Sequence, residues 1–341
     1  MKFSYNVNAI TQTTAPLRVK RAATVMCVRR RTDRGPEVLS REELGVDSDT
    51  ALQGDGNQDG RIMALFRGKR QATFSSGWEI LMGQRECVNW LRSTKDKKVA
   101  MRYPGEWNFF GGSVEPEEEL VEAARREIQE ELGIMLPPEC CGCRLRLFSV
   151  KQTRPIRNVS NLMYNFVAIA DEENPWLRDL DLEHVNGWLE DRRRLHRTLL
   201  DSGEYWDLPA ADKERASPET RAAQWLGLGE AVRHAFSSMN DTVTPIDAFQ
   251  EGSLRELGIR RRDPMYITML SCLDLEHFKD EASIIAHCET LGTAEEQTRK
   301  VQWLRDGLTP EQVQEVFSRR KQADRNTTLF QNSARAPAAK L

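Results

Sequence analysis

Residues 112–134 read GSVEPEEELVEAARREIQEELGI, and the order of charged and apolar residues in this stretch decides the fold. Leu120, Ala124, Ile128 and Leu132 recur at every fourth position, the spacing at which side chains share one helix face. Pro116 suits a first helical turn, where its missing N–H would have no partner. Gly133 suits the left-handed residue that ends a helix. The stretch therefore predicts a helix over 117–132. Glu127, Glu130 and Glu131 stand at i, i+3 and i+4, on one side of it. Carboxylates so placed repel each other by roughly a few tenths of a kcal/mol per exposed pair. A hard divalent cation such as Mg²⁺ takes oxygen ligands and supplies the counter-charge. It can also neutralise phosphate oxygens and lower the pKa of a water molecule. Gly111-Gly112 lets backbone approach the helix with no Cβ in the way. Taken alone, the trio is accounted for more simply by a solvated acidic face, the common fate of a charge run.

The spacing of the whole stretch changes that balance. It resembles the Nudix box, G-x5-E-x7-R-E-U-x-E-E-x-G-U, where U is a bulky aliphatic. Gly112, Glu118, Arg126, Glu127, Ile128, Glu130, Glu131, Gly133 and Ile134 fill every specified place. At average residue usage, the seven fixed identities match a given window on the order of once in 10⁸ trials. The resemblance implies an α/β (α+β) fold, a mixed β-sheet sandwiched between helices. It implies Glu127, Glu130 and Glu131 as ligands of Mg²⁺ or Mn²⁺, with Glu127 also orienting or deprotonating water. It implies that Arg126 holds Glu127, that Glu118 supports this network, and that Gly111, Gly112 and Gly133 shape the loops at the helix ends. Many members recruit a further acid from beyond the box. Glu219, shortly before the Trp225 segment, is the candidate, and a solvent-facing loop glutamate is the alternative.

Working outward, residues 22–30, 61–67, 144–150, 161–170 and 222–228 read as strands, and 99–110 as a strand broken at Pro104-Gly105. Segment 76–93 reads as short helical or irregular structure. The expected organisation is a flexible arm over 1–20 and a Nudix domain over 21–248, with insertions at 32–60 and 173–217. A helical C-terminal extension follows over 249–322, then a disordered tail over 323–341. Among 341 residues, 52 are acidic and 49 basic, so the net charge of −3 excludes a polycation. An anionic partner must be met by a local basic patch or by metal. No segment has the roughly 20 apolar residues a membrane span needs. Seven cysteines with no secretory segment before them point to a reducing, intracellular compartment. That compartment is the cytoplasm, or the mitochondrion if the basic N-terminal arm is a targeting segment.

Other motifs are weaker. Asp55-x-Asn57-x-Asp59-Gly60 has the front of a calcium loop but Phe66 in place of its twelfth-position glutamate. Cys140, Cys141 and Cys143 lack a second pair at zinc-finger spacing. Basic triplets at 29–31, 192–194, 260–262 and 319–321 read equally as a track for an RNA 5′ end or as solvated faces. Trp107 and Phe109 have two roles open to them, core packing and stacking on a base. The expected activity is a metal-dependent pyrophosphohydrolase. Its substrate would be a nucleotide or another diphosphate, with RNA 5′ ends included. The alternative is a non-catalytic Nudix-fold module that binds RNA or a protein partner, docking through the C-terminal extension.

Overall fold

The computed structural model describes residues 18–31, 33, 35–43, 70–99, 101, 104–138, 141–152, 159–236 and 266–301. The strand expected at 61–67, the calcium-like loop, Cys140, the last two basic triplets and the expected terminal tail lie outside them.

Strand β1 (Arg18–Arg30) is the spine of a seven-stranded sheet. It pairs in parallel with β8 (Val159–Ile169), from Arg18↔Val159 to Val28↔Ile169. On its other side it pairs antiparallel with β4 (Trp78–Arg85) and β6 (Phe110–Ser113). The short β5 (Trp107–Asn108) pairs with β4, β7 (Arg146–Gln152) with β8, and β9 (Thr220–Gly227) with β4 at the sheet's far edge. Strands β2 (Glu37–Ser40) and β3 (Gln71–Phe74) form a separate ribbon. In β4 every residue from Trp78 to Gln84 is buried. A strand covered on both faces shows an apolar run without the period of two. That is why the sequence around Trp78 reads as irregular or helical while the chain there is a central strand.

Alternate residues of β1 feed two cores. Ala23, Val25 and Cys27 join Ala123, Ala124, Ile128 and Leu132 of helix α1 (Leu120–Leu132). Met26 and Val28 join the opposite core, with Leu228, Ala231 and Val232 where β9 runs into helix α5 (Leu228–Phe236). A short α2 (Pro175–Arg178), the long α3 (Leu182–Ser202) and α4 (Ala210–Ala216) occupy the 173–217 segment. Helix α3 lies along the β9 edge. The Asn186 side chain donates to Ala223 O at 3.0 Å and accepts from Ala223 N at 2.8 Å, pairing backbone groups that an edge strand leaves open.

Helices α6 (Tyr266–Leu275) and α7 (Glu281–Leu291) place Cys272, Leu275, Ile284 and Cys288 in the core that holds Trp78, Ile80 and Leu226. Trp78 Nε1 donates to Phe278 O at 2.9 Å, and Ser75 N donates to Glu276 at 2.9 Å. The described part of the 249–322 segment thus helps cover the sheet's second face. A last helix, α8 (Ala294–Val301), lies against β7.

Candidate functional site

Helix α1 begins at Leu120, later than the start at 117 that the sequence predicts. Ahead of it, Pro116 and Glu117 form a turn with Glu117 at φ 65°, closed where Glu115 N donates to the Glu118 carboxylate at 2.9 Å. Gly133 caps the other end in the left-handed region at φ 67°. Strand β6 brings Gly111 and Gly112 beside the helix. A Cβ on Gly111 would stand 2.2 Å from Ala23 O, and one on Gly112 2.4 Å from Glu127 Oε1. Both glycines are therefore needed for close approach, one to a neighbouring strand and the other to a carboxylate.

Arg126 organises the helix's outer side. Its Nε donates to Glu118 at 2.9 Å, and its Nη1 donates to Glu127 at 2.9 Å and Glu130 at 3.2 Å. Its Nη2 reaches Ser113 O at 3.0 Å, tying the glycine loop to the helix. The Arg126 hydrogen bond is the main reason the Glu118 carboxyl lies below the ordinary carboxylate range.

The two inner carboxylates are in a different setting. Glu131 is 6% exposed, and its Oε2 accepts from Gly111 N at 3.1 Å. Burial pushes its pKa up to about 8; the Arg85 charge opposes that rise, and the Glu127 and Glu219 charges add to it. Burial likewise pushes Glu127 up to about 7, against Arg126 and with Glu130 and Glu219. Glu127, Glu131 and Glu219 are thus in electrostatic contact in a poorly solvated place. Glu130 is not part of that inner group: its side chain is 58% exposed and leans on Arg126. Among the described residues, no three His, Cys, Asp or Glu side chains stand at the mutual spacing of a metal site. The donor chemistry nevertheless fits a hard divalent cation. Glu127 and Glu131 offer oxygen alone; burial is the main obstacle to their ionising, with the neighbouring carboxylate charges adding to it, and a bound cation would offset both.

Glu219 enters from the start of β9. Its backbone O accepts from Glu86 N at 2.8 Å, and the register Arg85↔Thr220 sets it beside the end of β4. Two cations at this place are not marked in the sequence. Arg85 follows an apolar run, and its Nε is buried without a hydrogen-bond partner. Arg192 belongs to a basic triplet that reads equally as a solvated face. In the folded chain the described triplets are engaged internally. Arg29 pairs with Glu79 and lies over Trp225, Arg31 pairs with Asp33, Arg193 with Glu86 and Arg194 with Asp191.

Beyond Glu219, β9 runs into an open cleft of about 490 Å³ lined by Trp107, Asn186, Glu190, Arg193, Arg221 and Gln224, among others. Phe109 is core, 3% exposed, whereas half-buried Trp107 faces both this cleft and the His234 ring, 5.8 Å away between centroids. Cys143 is buried and Cys141 exposed. Among the described residues, no helix is long and apolar enough to cross a membrane.

The family model described as the NUDIX domain matches residues 61–190. The central strand β1 lies outside that match. A nucleoside triphosphatase NudI of Escherichia coli O1:K1 / APEC is 59% identical over 34 residues, 10% of this chain and 24% of that protein. The NudI of Salmonella newport (strain SL254) matches to the same extent. The chain thus spans about a quarter of the length of these curated relatives. Among solved structures, a MutT NUDIX hydrolase from Burkholderia pseudomallei is 18% identical with a TM-score of 0.23, over 45% of this chain and 67% of that one. A NUDIX hydrolase from Nitrosomonas europaea is 10% identical with a TM-score of 0.28, over 73% of this chain and 95% of that one.

Proposed function

From the match of residues 61–190 to the NUDIX domain, we propose that the chain is a divalent-metal-dependent pyrophosphohydrolase acting on a nucleoside diphosphate linked to a further group. The observation that carries the reading is the inner pair, Glu127 and Glu131. Glu131 is buried and Glu127 half-buried beside Gly111-Gly112, and both are coupled to the charge of Glu219.

Glu127 and Glu131, with Glu219 or Glu130, are the residues that would hold Mg²⁺ or Mn²⁺. When bound, the ion supplies charge neutralisation at the phosphate oxygens and makes water a better nucleophile. The chain's own groups do the remaining work. Arg126 holds the Glu127 carboxylate through a charge-assisted hydrogen bond and braces it against Glu118 and Ser113. So held, Glu127 is the carboxylate that would orient the attacking water and accept its proton. Glu131 is fixed to the Gly111 amide and so cannot swing away. Attack at one phosphorus releases two phosphate-bearing products, and no covalent enzyme intermediate is needed.

The cleft beyond Glu219 receives the group that flanks the diphosphate. Its volume lies within the range of small-molecule sites, and Trp107 offers an aromatic face to a base. Nucleoside triphosphates, the substrates named for NudI, are the first compounds to try. Triphosphorylated and capped RNA belong in the same screen, although the described arginine triplets spend much of their charge internally.

The test is a hydrolysis screen with Mg²⁺ and with Mn²⁺, covering nucleoside triphosphates, ADP-ribose, dinucleotides and RNA 5′ ends. At least one compound should turn over only with metal. Glu130→Gln and Glu131→Gln should each lower that rate by orders of magnitude while the far-ultraviolet circular dichroism stays unchanged. Unaltered rates in both variants would refute the assignment.

A further inference from the structure

Two side chains of helix α3, Trp188 and Arg192, reach the box helix. The Trp188 ring occupies the space beside Gly133, where a Cβ would lie 2.2 Å from Cδ2 and 2.3 Å from Cε3. One turn on, Arg192 sets its guanidinium 5.4 Å from the Trp188 ring centroid, as a cation over the indole. Its Nη1 donates to Glu130 O, on the box helix, at 3.1 Å. Its Nη2 donates to Ser217 O at 2.9 Å and Glu214 O at 3.4 Å. Ser217 is two residues before Glu219, whose own carbonyl is pinned by Glu86 N. A single planar fork therefore spans the end of the box helix and the loop that delivers the acid from outside the box. Lysine could not make this bridge, because it offers a point charge on a flexible stem rather than a rigid set of donors.

From this geometry we infer that Arg192 is a positioning residue: it holds the Glu219 loop against the C-terminal turn of the box helix, and metal affinity depends on that hold. The inference rests on the metal-site reading above. It assigns the 173–217 segment a place in the active site that the box pattern does not contain. The sign of the effect separates it from a simple charge effect. Arg192 is a cation near Glu130 and Glu219, and both charges act on it. By Coulomb's law alone, deleting it would tighten the binding of a divalent cation. A positioning role requires the opposite.

The experiment is equilibrium binding of Mn²⁺ to the full chain by electron paramagnetic resonance, with no substrate present. Arg192→Lys and Arg192→Met should each weaken Mn²⁺ binding about tenfold or more, the usual size of a lost outer-shell support. In a Glu219→Gln background, Arg192→Lys should cause no further weakening, because the effect runs through Glu219. Urea unfolding of every variant reports the folded fraction, and the Lys variant keeps both charge and stem should the Met variant fold poorly. Tighter or unchanged binding in Arg192→Met, or wild-type binding in Arg192→Lys, overturns the inference while the metal reading stands. A wild-type chain that takes up no Mn²⁺ overturns the metal reading itself, and this inference falls with it.

Discussion

Gly112→Ala tests the site with a single methyl group. Gly112 does not have a positive φ, so alanine meets no backbone strain there. The added Cβ would, however, lie 2.4 Å and 2.5 Å from the two carboxylate oxygens of Glu127 and 2.6 Å from its Cδ. Ordinary contact begins near 3.4 Å, so Glu127 must retreat by about 1 Å (3.4 − 2.4). Its retreat is resisted, because Arg126 holds Oε1 at 2.9 Å. Misplacing a reacting group by 1 Å costs on the order of 10²-fold in rate. Overpacking costs about 1–3 kcal/mol, partly offset by roughly 0.4–1 kcal/mol from the stiffer unfolded chain. The expected variant is folded, slightly less stable, and slower by about two orders of magnitude at saturating substrate. Turnover of the substrate found in the screen, together with the urea midpoint, reads both quantities. Full turnover in a folded Gly112→Ala protein would show that the position of Glu127 is not what the reaction uses.

Three further outcomes follow from the same structure. Gly187, in the second turn of α3, has nothing within 4 Å of an added Cβ, so Gly187→Ala should stabilise the fold by about 0.5–1 kcal/mol in urea unfolding with activity unchanged. Gln224 is exposed in the cleft, and Gln224→Trp should fill it, raising KM by about tenfold or more with little change in kcat; unchanged KM would remove the cleft from the substrate path. His196 is 3% exposed between the rings of Trp90 and Tyr205, and burial, helped by the Arg192 charge, pushes its pKa down to about 4 from 6.5. The unfolded chain binds this proton more readily, so the contribution of His196 is complete above pH 6.5 and is lost as pH falls from there toward 4. That amounts to at most about 3 kcal/mol. His196→Phe should flatten the wild-type loss of stability between pH 7 and pH 4.5, and an identical slope in both proteins would count against the reading.

The features legible in the sequence are those carried by short-range spacing. The box helix, its glycine ends and the Arg126–Glu118–Glu127 network all involve residues within about two dozen positions, where a fixed helical rise converts spacing into geometry. Strands β1, β8 and β9 were equally readable from period and composition. Strand β4 was not, because burial on both faces erases the alternation that marks a strand. Nor does the spacing of Glu127, Glu130 and Glu131 tell which of them is buried and which stays in water.

Only the tertiary structure separates them. Glu131 turns inward because β6 presents the Gly111 amide to it, and Glu130 stays in water beside Arg126. Arg85 and Arg192 reach the site across 46 and 62 residues of chain from Glu131 and Glu130, and no local pattern records such a meeting. The same holds for α6 and α7, whose Cys272 and Ile284 complete a core with Trp78 some two hundred residues earlier. A sequence by itself determines which short segments can form and which carry complementary chemistry. Which of those segments meet, and therefore which charges are buried together, depends on burying both faces of one sheet at once, and that is settled only when the whole chain packs.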